Sequence, residues 1–275
     1  MGSNPKRITL KYHSSGNLTA PVFYLVNGKT DMLILLAAAL LPAALLWLYI
    51  LKQDPQPEPT NWLIKAILYG MAICFPVALL EGAIMGAFFG GQPTTLIGTT
   101  FQAFFVAAIP EEGFKLLALW LILRHNPYFD EHFDGIVYAV CVGLGFAAVE
   151  NIVYVFSNEA WLSVAVMRAL LAVPGHYAFA ILMGYYYSVY HFTDRSPRTA
   201  ACILLVPVLA HGVYDAIALS GSVNRYIGGV SFIILIYFCI KMHKYARTKM
   251  LAQIKRDKND GTGDYDRPVD DVHTI

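Results

Sequence analysis

Two adjacent carboxylates and a lysine lie inside one of the longest apolar stretches of the chain. Glu111, Glu112 and Lys115 interrupt residues 96–123, which are otherwise rich in Leu, Phe, Ala and Ile. Insertion scales assign a cost of roughly 2.5–3.5 kcal/mol to a charged side chain at the centre of a membrane-spanning helix, so such residues usually face a protein-lined cavity and carry a function. We therefore expect this Glu-Glu-x-x-Lys element to lie at the centre of a functional site. Pro110, directly before it, predicts a kink or the first turn of a second half-helix.

Further ionisable residues interrupt three later apolar segments. With the first three they form one set of candidates: Glu111, Glu112, Lys115, Glu150, Arg168, His176, His211 and Asp215. Such a group contains what peptide hydrolysis needs, namely a carboxylate that activates water, a histidine that donates a proton or binds an oxyanion, and an acid that orients the histidine. Single members also have structural interpretations. Glu150 and Asn151 could form an interhelical hydrogen bond, and His211 could bond to Asp215 four residues along the same helix.

The same side chains are also possible metal ligands. His, Glu and Asp in an open site with three protein ligands would suit Zn²⁺. The usual His-Glu-x-x-His signal is absent from the sequence. The cofactor therefore stays unassigned at this point, with zinc as one candidate.

The composition is that of an integral membrane protein. Hydrophobic residues make up 57% of the chain and charged residues 14%, whereas about a quarter of the residues of a soluble domain are charged. A net charge of +1 provides no basic field for nucleic acid. The four cysteines lie in apolar segments at no metal-site spacing, so we expect no disulfide framework.

The predicted fold is an all-α, polytopic transmembrane bundle of about seven spans, and an eighth span would also be compatible with the pattern. Only helices or closed barrels satisfy the backbone in lipid, and the apolar segments have helical length. The segments are approximately residues 32–51, 62–80, 96–123, 135–156, 161–190, 200–219 and 227–240. Glu81 falls at the end of the second segment, and we assign it to the headgroup boundary, outside the site.

The chain divides into a polar N-terminal tail (residues 1–31), a transmembrane domain (residues 32–243, with the motifs in 101–219) and a C-terminal tail (residues 244–275). The C-terminal tail begins with many lysines and arginines, so we expect it to be cytoplasmic and disordered. Seven spans then place the basic N-terminal tail outside, against the positive-inside rule, and its orientation stays open.

Four motifs in this order resemble those of the PrsW family of intramembrane proteases. They are Glu111-Glu-Gly-Phe-Lys115, Phe146-Ala-Ala-Val-Glu150-Asn151, Pro174-Gly-His176 and His211-Gly-Val-Tyr-Asp215. The family is related to the CAAX prenyl endopeptidases and to bacteriocin-processing or immunity proteins. In the CAAX-type relatives an Arg follows the glutamate pair and a His stands at the position of Glu150, so this chain resembles the PrsW branch.

The resemblance implies an intramembrane endopeptidase in the cell membrane, in a family whose founding member cleaves the extracytoplasmic part of an anti-sigma factor. It implies a single-span membrane protein as substrate, and it leaves the oligomeric state open. Glu111 and Glu112 would supply the base, and the choice between them stays open, as does the choice between a glutamic and a metal-dependent mechanism. The implied partners that polarise or protonate are His176 and His211. The implied orienting residues are Glu150 and Asp215, and the supporting residues are Lys115, Arg168, Asn151 and Phe146.

Two other functions compete with proteolysis. Buried acids and histidines also form the relays of proton-coupled transporters, but the internal repeat typical of such transporters is not found in the sequence. A non-catalytic scaffold on the same fold is the third alternative, and the intact set of polar residues argues against it.

Overall fold

A computed structural model describes residues 29–260, and within that range the chain consists of seven helices joined by loops. They are α1 (Lys29–Leu51), α2 (Thr60–Phe88), α3 (residues 96–123), α4 (Asp134–Phe156), α5 (Trp161–Phe192), α6 (Pro197–Ser220) and α7 (Arg225–Asp260). All except α3 contain an uninterrupted helical stretch that is long and apolar enough to cross a membrane. The predicted all-α membrane bundle of about seven spans is confirmed. Residues 1–28 of the predicted N-terminal tail lie outside the described residues.

Helix α4 lies at the centre of the bundle, and its residues 134–147 are all buried. Several of its contacts depend on glycine, as two examples show. A Cβ atom on Gly145 would lie 2.3 Å from the carbonyl oxygen of Ile67 in α2, and one on Gly184 in α5 would lie 2.3 Å from the carbonyl oxygen of Gly135. Glycine therefore lets the neighbouring backbones approach α4 closely, as small residues commonly do between membrane helices.

Helices α3 and α5 each contain a π-helical segment directly before a motif of the candidate site. The π-helical segments are Gln102–Ala108 in α3 and Arg168–Ala172 in α5. The α-helix that follows has a proline at its second position, Pro110 in α3 and Pro174 in α5. Proline lacks the N–H that a regular helix needs, and π-turns are frequent at functional sites. The helix therefore continues past Pro110, which directly follows the wider π-helical turns, and no separate half-helix begins there.

Helix α7 continues well beyond the predicted span of residues 227–240. Five side chains on one face of the extension are buried: Met242, Ala246, Met250, Gln253 and Asp257. The Asp257 carboxylate accepts hydrogen bonds from the backbone N–H groups of His132 (2.8 Å) and Phe133 (2.9 Å) in the loop before α4. The prediction of a disordered tail is therefore wrong for residues 244–260, because a helical stripe packs them onto the bundle. Residues 261–275 lie outside the described residues.

Candidate active site

The Lys115 ammonium lies between the two adjacent glutamates, in the interior of the bundle. Its Nζ donates to Glu111 Oε2 (2.9 Å) and Glu112 Oε1 (2.8 Å) and lies 3.2 Å from Nδ1 of His176 in α5. The ring of Phe146 in α4 faces the same nitrogen, at 4.3 Å from its centroid. The lysine and both glutamates are at most 5% exposed. One buried cation therefore compensates two adjacent acids and connects α3 to α5.

The partners of His176 determine which of its ring nitrogens carries the proton. Its Nδ1 faces Lys115, an ammonium that can only donate, and its Nε2 lies 2.8 Å from Glu150 Oε2, a carboxylate that accepts. The ring is therefore satisfied as the neutral tautomer with the proton on Nε2. Glu150 also accepts from Arg168 Nη2 at 2.9 Å, and Arg168 Nε donates to the side-chain oxygen of Asn151. These contacts fix the end of α4 against α5.

His211 of α6 lies between two carboxylates. Its Nδ1 is 2.9 Å from Glu112 Oε1, and its Nε2 is 3.3 Å from Asp215 Oδ2. Because both partners are acceptors, both ring nitrogens are satisfied as donors only when the imidazole is protonated. The ring of Phe179 stacks on the imidazole, with centroids 4.7 Å apart. The arrangement holds a cationic histidine next to the glutamate pair.

Three of these side chains converge on one point. Glu111, His176 and His211 each provide one possible metal-ligating atom, and these three atoms all lie within 4.8 Å of one another. All three residues are buried. The contacts described above join every residue of the sequence-based site into one cluster: Glu111, Glu112, Lys115, Phe146, Glu150, Asn151, Arg168, His176, His211 and Asp215. The cluster combines a carboxylate, a neutral histidine and a cationic histidine, which are the groups that general acid–base hydrolysis requires.

A cavity of about 700 Å³ adjoins this cluster. Glu111, His176 and His211 line it, whereas Glu112 does not and is fully buried. The lining also includes Gln92, in the loop between α2 and α3, so the cavity extends from the cluster toward the end of the bundle that contains this loop. Of the two adjacent glutamates, Glu111 is thus the one that water or substrate in the cavity can reach.

Two residues of the site were missed in the sequence. Glu81 lies inside α2, which continues to Phe88, and it lines the cavity next to the cluster, although the sequence predicts it to lie outside the site. The apolar run that continues after Glu81 was the available signal. Phe179 stacks on His211, and its position three residues after His176 on the same helix could have indicated it.

Known proteins match the chain over most of its length. The family model described as "PrsW family intramembrane metalloprotease" matches residues 58–242. A protein named Protease PrsW from Geobacillus kaustophilus is 30% identical over 230 residues, which cover 82% of this chain and 99% of the relative. Its namesake from Bacillus subtilis is 30% identical over 226 residues (81% and 100%), and that from Clostridioides difficile is 36% identical over 195 residues (69% and 79%).

No solved structure matches the chain significantly. The family assignment therefore rests on the sequence comparisons, which extend across all four motifs of the cluster. The chain belongs to the PrsW family of intramembrane proteases and is a membrane-embedded peptidase.

Proposed function

We propose that this protease hydrolyses a peptide bond of a single-span membrane protein inside the cavity, with Glu111 as the base and His211 as the acid. The observation that carries the proposal is the convergence of Glu111, His176 and His211 within 4.8 Å at the cavity wall. A substrate resembling an anti-sigma factor would fit this activity, because such a protein carries one span that can enter the bundle from the lipid.

Glu111 is the better placed of the two glutamates for activating water. It lines the cavity, and among the described residues only its Oε2 has a hydrogen-bond partner, Lys115. Its Oε1 is therefore available to a water molecule. Glu112 is fully buried and bonded to Lys115 and His211, so its role is to hold these two cations in position.

The two protonation states suit the two proton transfers of hydrolysis. The attacking water gives its proton to Glu111 as its oxygen bonds to the carbonyl carbon. The C–N bond then breaks, and the leaving amine takes a proton from the protonated His211. Glu150 and Asp215 keep the rings of His176 and His211 in these orientations.

The donors of the cluster also fit the divalent ion that the family description implies. Glu111, His176 and His211 would hold it, and two histidines with one glutamate are a ligand set of catalytic zinc sites. Glu111 and His211 would then act as ligands instead of as base and acid, and His211 would bind through a ring nitrogen that has lost its proton. His176 keeps Glu150 on its other ring nitrogen, as is common for metal-bound histidines. When bound, such an ion would polarise the scissile carbonyl and lower the pKa of a water. Lys115 Nζ lies 2.9 Å from Glu111 Oε2 and 3.2 Å from His176 Nδ1, so an ion that used these atoms would displace the ammonium.

We further propose that the site is reached from the extracytoplasmic side. The cavity extends toward the loop at residues 89–95, whereas α7 ends at the opposite end of the bundle. The extension of α7 beyond the membrane carries many lysines and arginines, which favours a cytoplasmic C-terminus. The protein would then be a multi-pass protein of the cell membrane that cuts its substrate near the outer edge of the substrate's span.

The purified protein in detergent tests this proposal. It is incubated with candidate single-span substrates, with and without a chelator, beside a Glu111→Gln variant. We expect cleavage by the wild type and none by Glu111→Gln. Loss of cleavage with the chelator, restored by added zinc, would assign a metal-dependent mechanism, and chelator-resistant cleavage would assign a glutamic one. Cleavage that persists in Glu111→Gln would contradict the proposal.

A further inference from the structure

Glu81 of α2 is an acidic side chain in the cavity that the proposed reaction does not use. It is half-buried, and its neighbours on the same helix face, Val77, Ala78 and Met85, are apolar and also line the cavity. Glu81 lies about two helical turns before α2 ends at Phe88, and its side chain faces this apolar part of the cavity wall. A charge in such a place is costly unless a partner compensates it.

The other acids around the cavity all have such a partner. Glu111 bonds to Lys115, Glu150 bonds to Arg168, and Asp215 lies 3.3 Å from His211. For Glu81 the structure contains no hydrogen bond or ion pair within residues 29–260. The acids Glu111 and Glu150 and the cations His211 and Lys115 all act on Glu81 electrostatically without contacting it, and the two acids act more strongly.

We propose that Glu81 is a specificity-determining residue that binds a basic side chain of the substrate, Lys or Arg, next to the scissile bond. This inference rests on the proposed function, since it assigns a subsite within the same cavity. A cationic side chain from the substrate would supply, in direct contact, the compensation that Lys115 and His211 provide only from farther away. The contact is charge-assisted and lies in an apolar setting, where it discriminates strongly against a neutral side chain.

The position of Glu81 along the bundle gives the register of the basic residue. Helices α2 and α3 meet at the loop of residues 89–95; Glu81 lies seven residues before the end of α2, and Glu111 lies fifteen residues after the start of α3. At about 1.5 Å per residue, Glu81 is about 12 Å closer to that end of the bundle. An extended peptide covers this distance in about three to four residues. We therefore expect the basic residue three or four positions from the cleaved bond, on the side that points toward this loop.

The experiment measures kcat/KM for a single-span substrate in which Arg, Gln or Glu is placed in turn at each position near the cleaved bond. For the wild type we expect a preference for Arg over Gln of about 10-fold or more at the predicted position, the size of a charge-assisted contact. In Glu81→Gln this preference should fall to less than about twofold, and Glu81→Lys should prefer Glu over Arg. The matched control is Glu159→Gln, which removes the same charge from an exposed loop residue at the same end of the bundle and should keep the wild-type preference.

The inference is overturned if the wild type cleaves the Arg and Gln substrates equally at every position, or if Glu81→Gln keeps the preference for Arg. If no substrate is cleaved by the wild type, the proposed function fails, and a binding measurement still decides the inference. For that, the Glu111→Gln protein is mixed with a Lys-containing substrate and treated with a carbodiimide, which couples a carboxylate to an amine in contact with it. Mass spectrometry should find the coupling at Glu81, and coupling at other acids only would contradict the subsite.

Discussion

Replacing Lys115 by Met is expected to destabilise the protein more than any other single loss of charge in the bundle. The ammonium is 3% exposed and bonds to two carboxylates at 2.9 and 2.8 Å. Glu112 would still be bonded to His211. Glu111 would lose its bond to Lys115 and would keep, among the described residues, only His176 Nδ1 at 4.0 Å as an ion-pair partner. Removing one partner of a buried pair leaves an uncompensated charge at a cost of about 3–5 kcal/mol.

Thermal unfolding in detergent, followed by tryptophan fluorescence, measures this loss. A cost of this size corresponds to a fall of roughly 6–15 °C in the midpoint for a chain of this length. The double variant Lys115→Met/Glu111→Gln should recover at least about half of the loss, because Gln leaves no charge to compensate. The control is Lys65→Met, an exposed lysine 4.2 Å from the centroid of the Trp62 ring, which should change stability by less than about 0.5 kcal/mol. A Lys115→Met protein as stable as the wild type, or a double variant no more stable than the single one, would refute the reasoning.

Three further predictions concern the rest of the bundle. Burial, reinforced by neighbouring acids, raises the pKa of Asp54 to about 8, and burial raises the pKa of Glu58 to about 7, both in the loop before α2. Because these pKa values exceed the ordinary ones, the folded state binds more protons than the unfolded state, so the free energy of unfolding should fall as the pH rises from about 4 to about 8. Asp54→Asn should make this decrease smaller between about pH 6 and about pH 8. An equal slope in the variant and the wild type would exclude Asp54 as a cause of the decrease. Asp257→Ala removes the acceptor of the N–H groups of His132, so it should lower the free energy of unfolding by about 2–4 kcal/mol and expose the end of α7 to limited proteolysis. Unchanged protease resistance would show that this contact does not hold α7 in place. A single cysteine at Ala172, which lines the cavity, should react in a cysteine-free background with a membrane-impermeant thiol reagent on intact cells. Labelling only in inverted vesicles would place the site on the cytoplasmic side.

Much of the cluster could be predicted from the sequence because charges are rare in apolar segments. Each of Glu111, Glu150 and His211 stands out against its flanks, and burial without a partner is too costly to be incidental. The need for mutual compensation predicts that such residues meet, although they come from four helices. Pairs within one helix could be predicted from spacing, as for Glu111 with Lys115 and His211 with Asp215, each four residues apart. The sequence did not indicate the pairs between helices, such as the contact of Lys115 with His176.

The errors have a common physical origin, because a drop in local hydropathy does not mark the end of a helix whose next turns still bury one face. The segment after residue 240 contains many lysines, and these lower its mean hydropathy. Buried residues nevertheless recur in it every three or four positions from Met242 onward, which is the pattern of a helix packed on one face. In α2 a single acid, Glu81, interrupts the apolar run, but the helix continues for seven more residues. In both places the helical period of the apolar residues was a better guide than the local charge.

The most direct test of the central claim is the turnover of Glu111→Gln on a single-span substrate that the wild type cleaves. Gln keeps the size and hydrogen bonding of the side chain but cannot accept the proton of water, and loss of a general base typically costs about 10²–10⁴-fold in rate. Glu159→Gln serves as the matched control, and the thermal midpoints show whether each variant is folded. We predict that Glu111→Gln is folded and at least about 100-fold slower than Glu159→Gln. A folded Glu111→Gln protein with wild-type turnover would contradict the account, because the base would then have to be another residue.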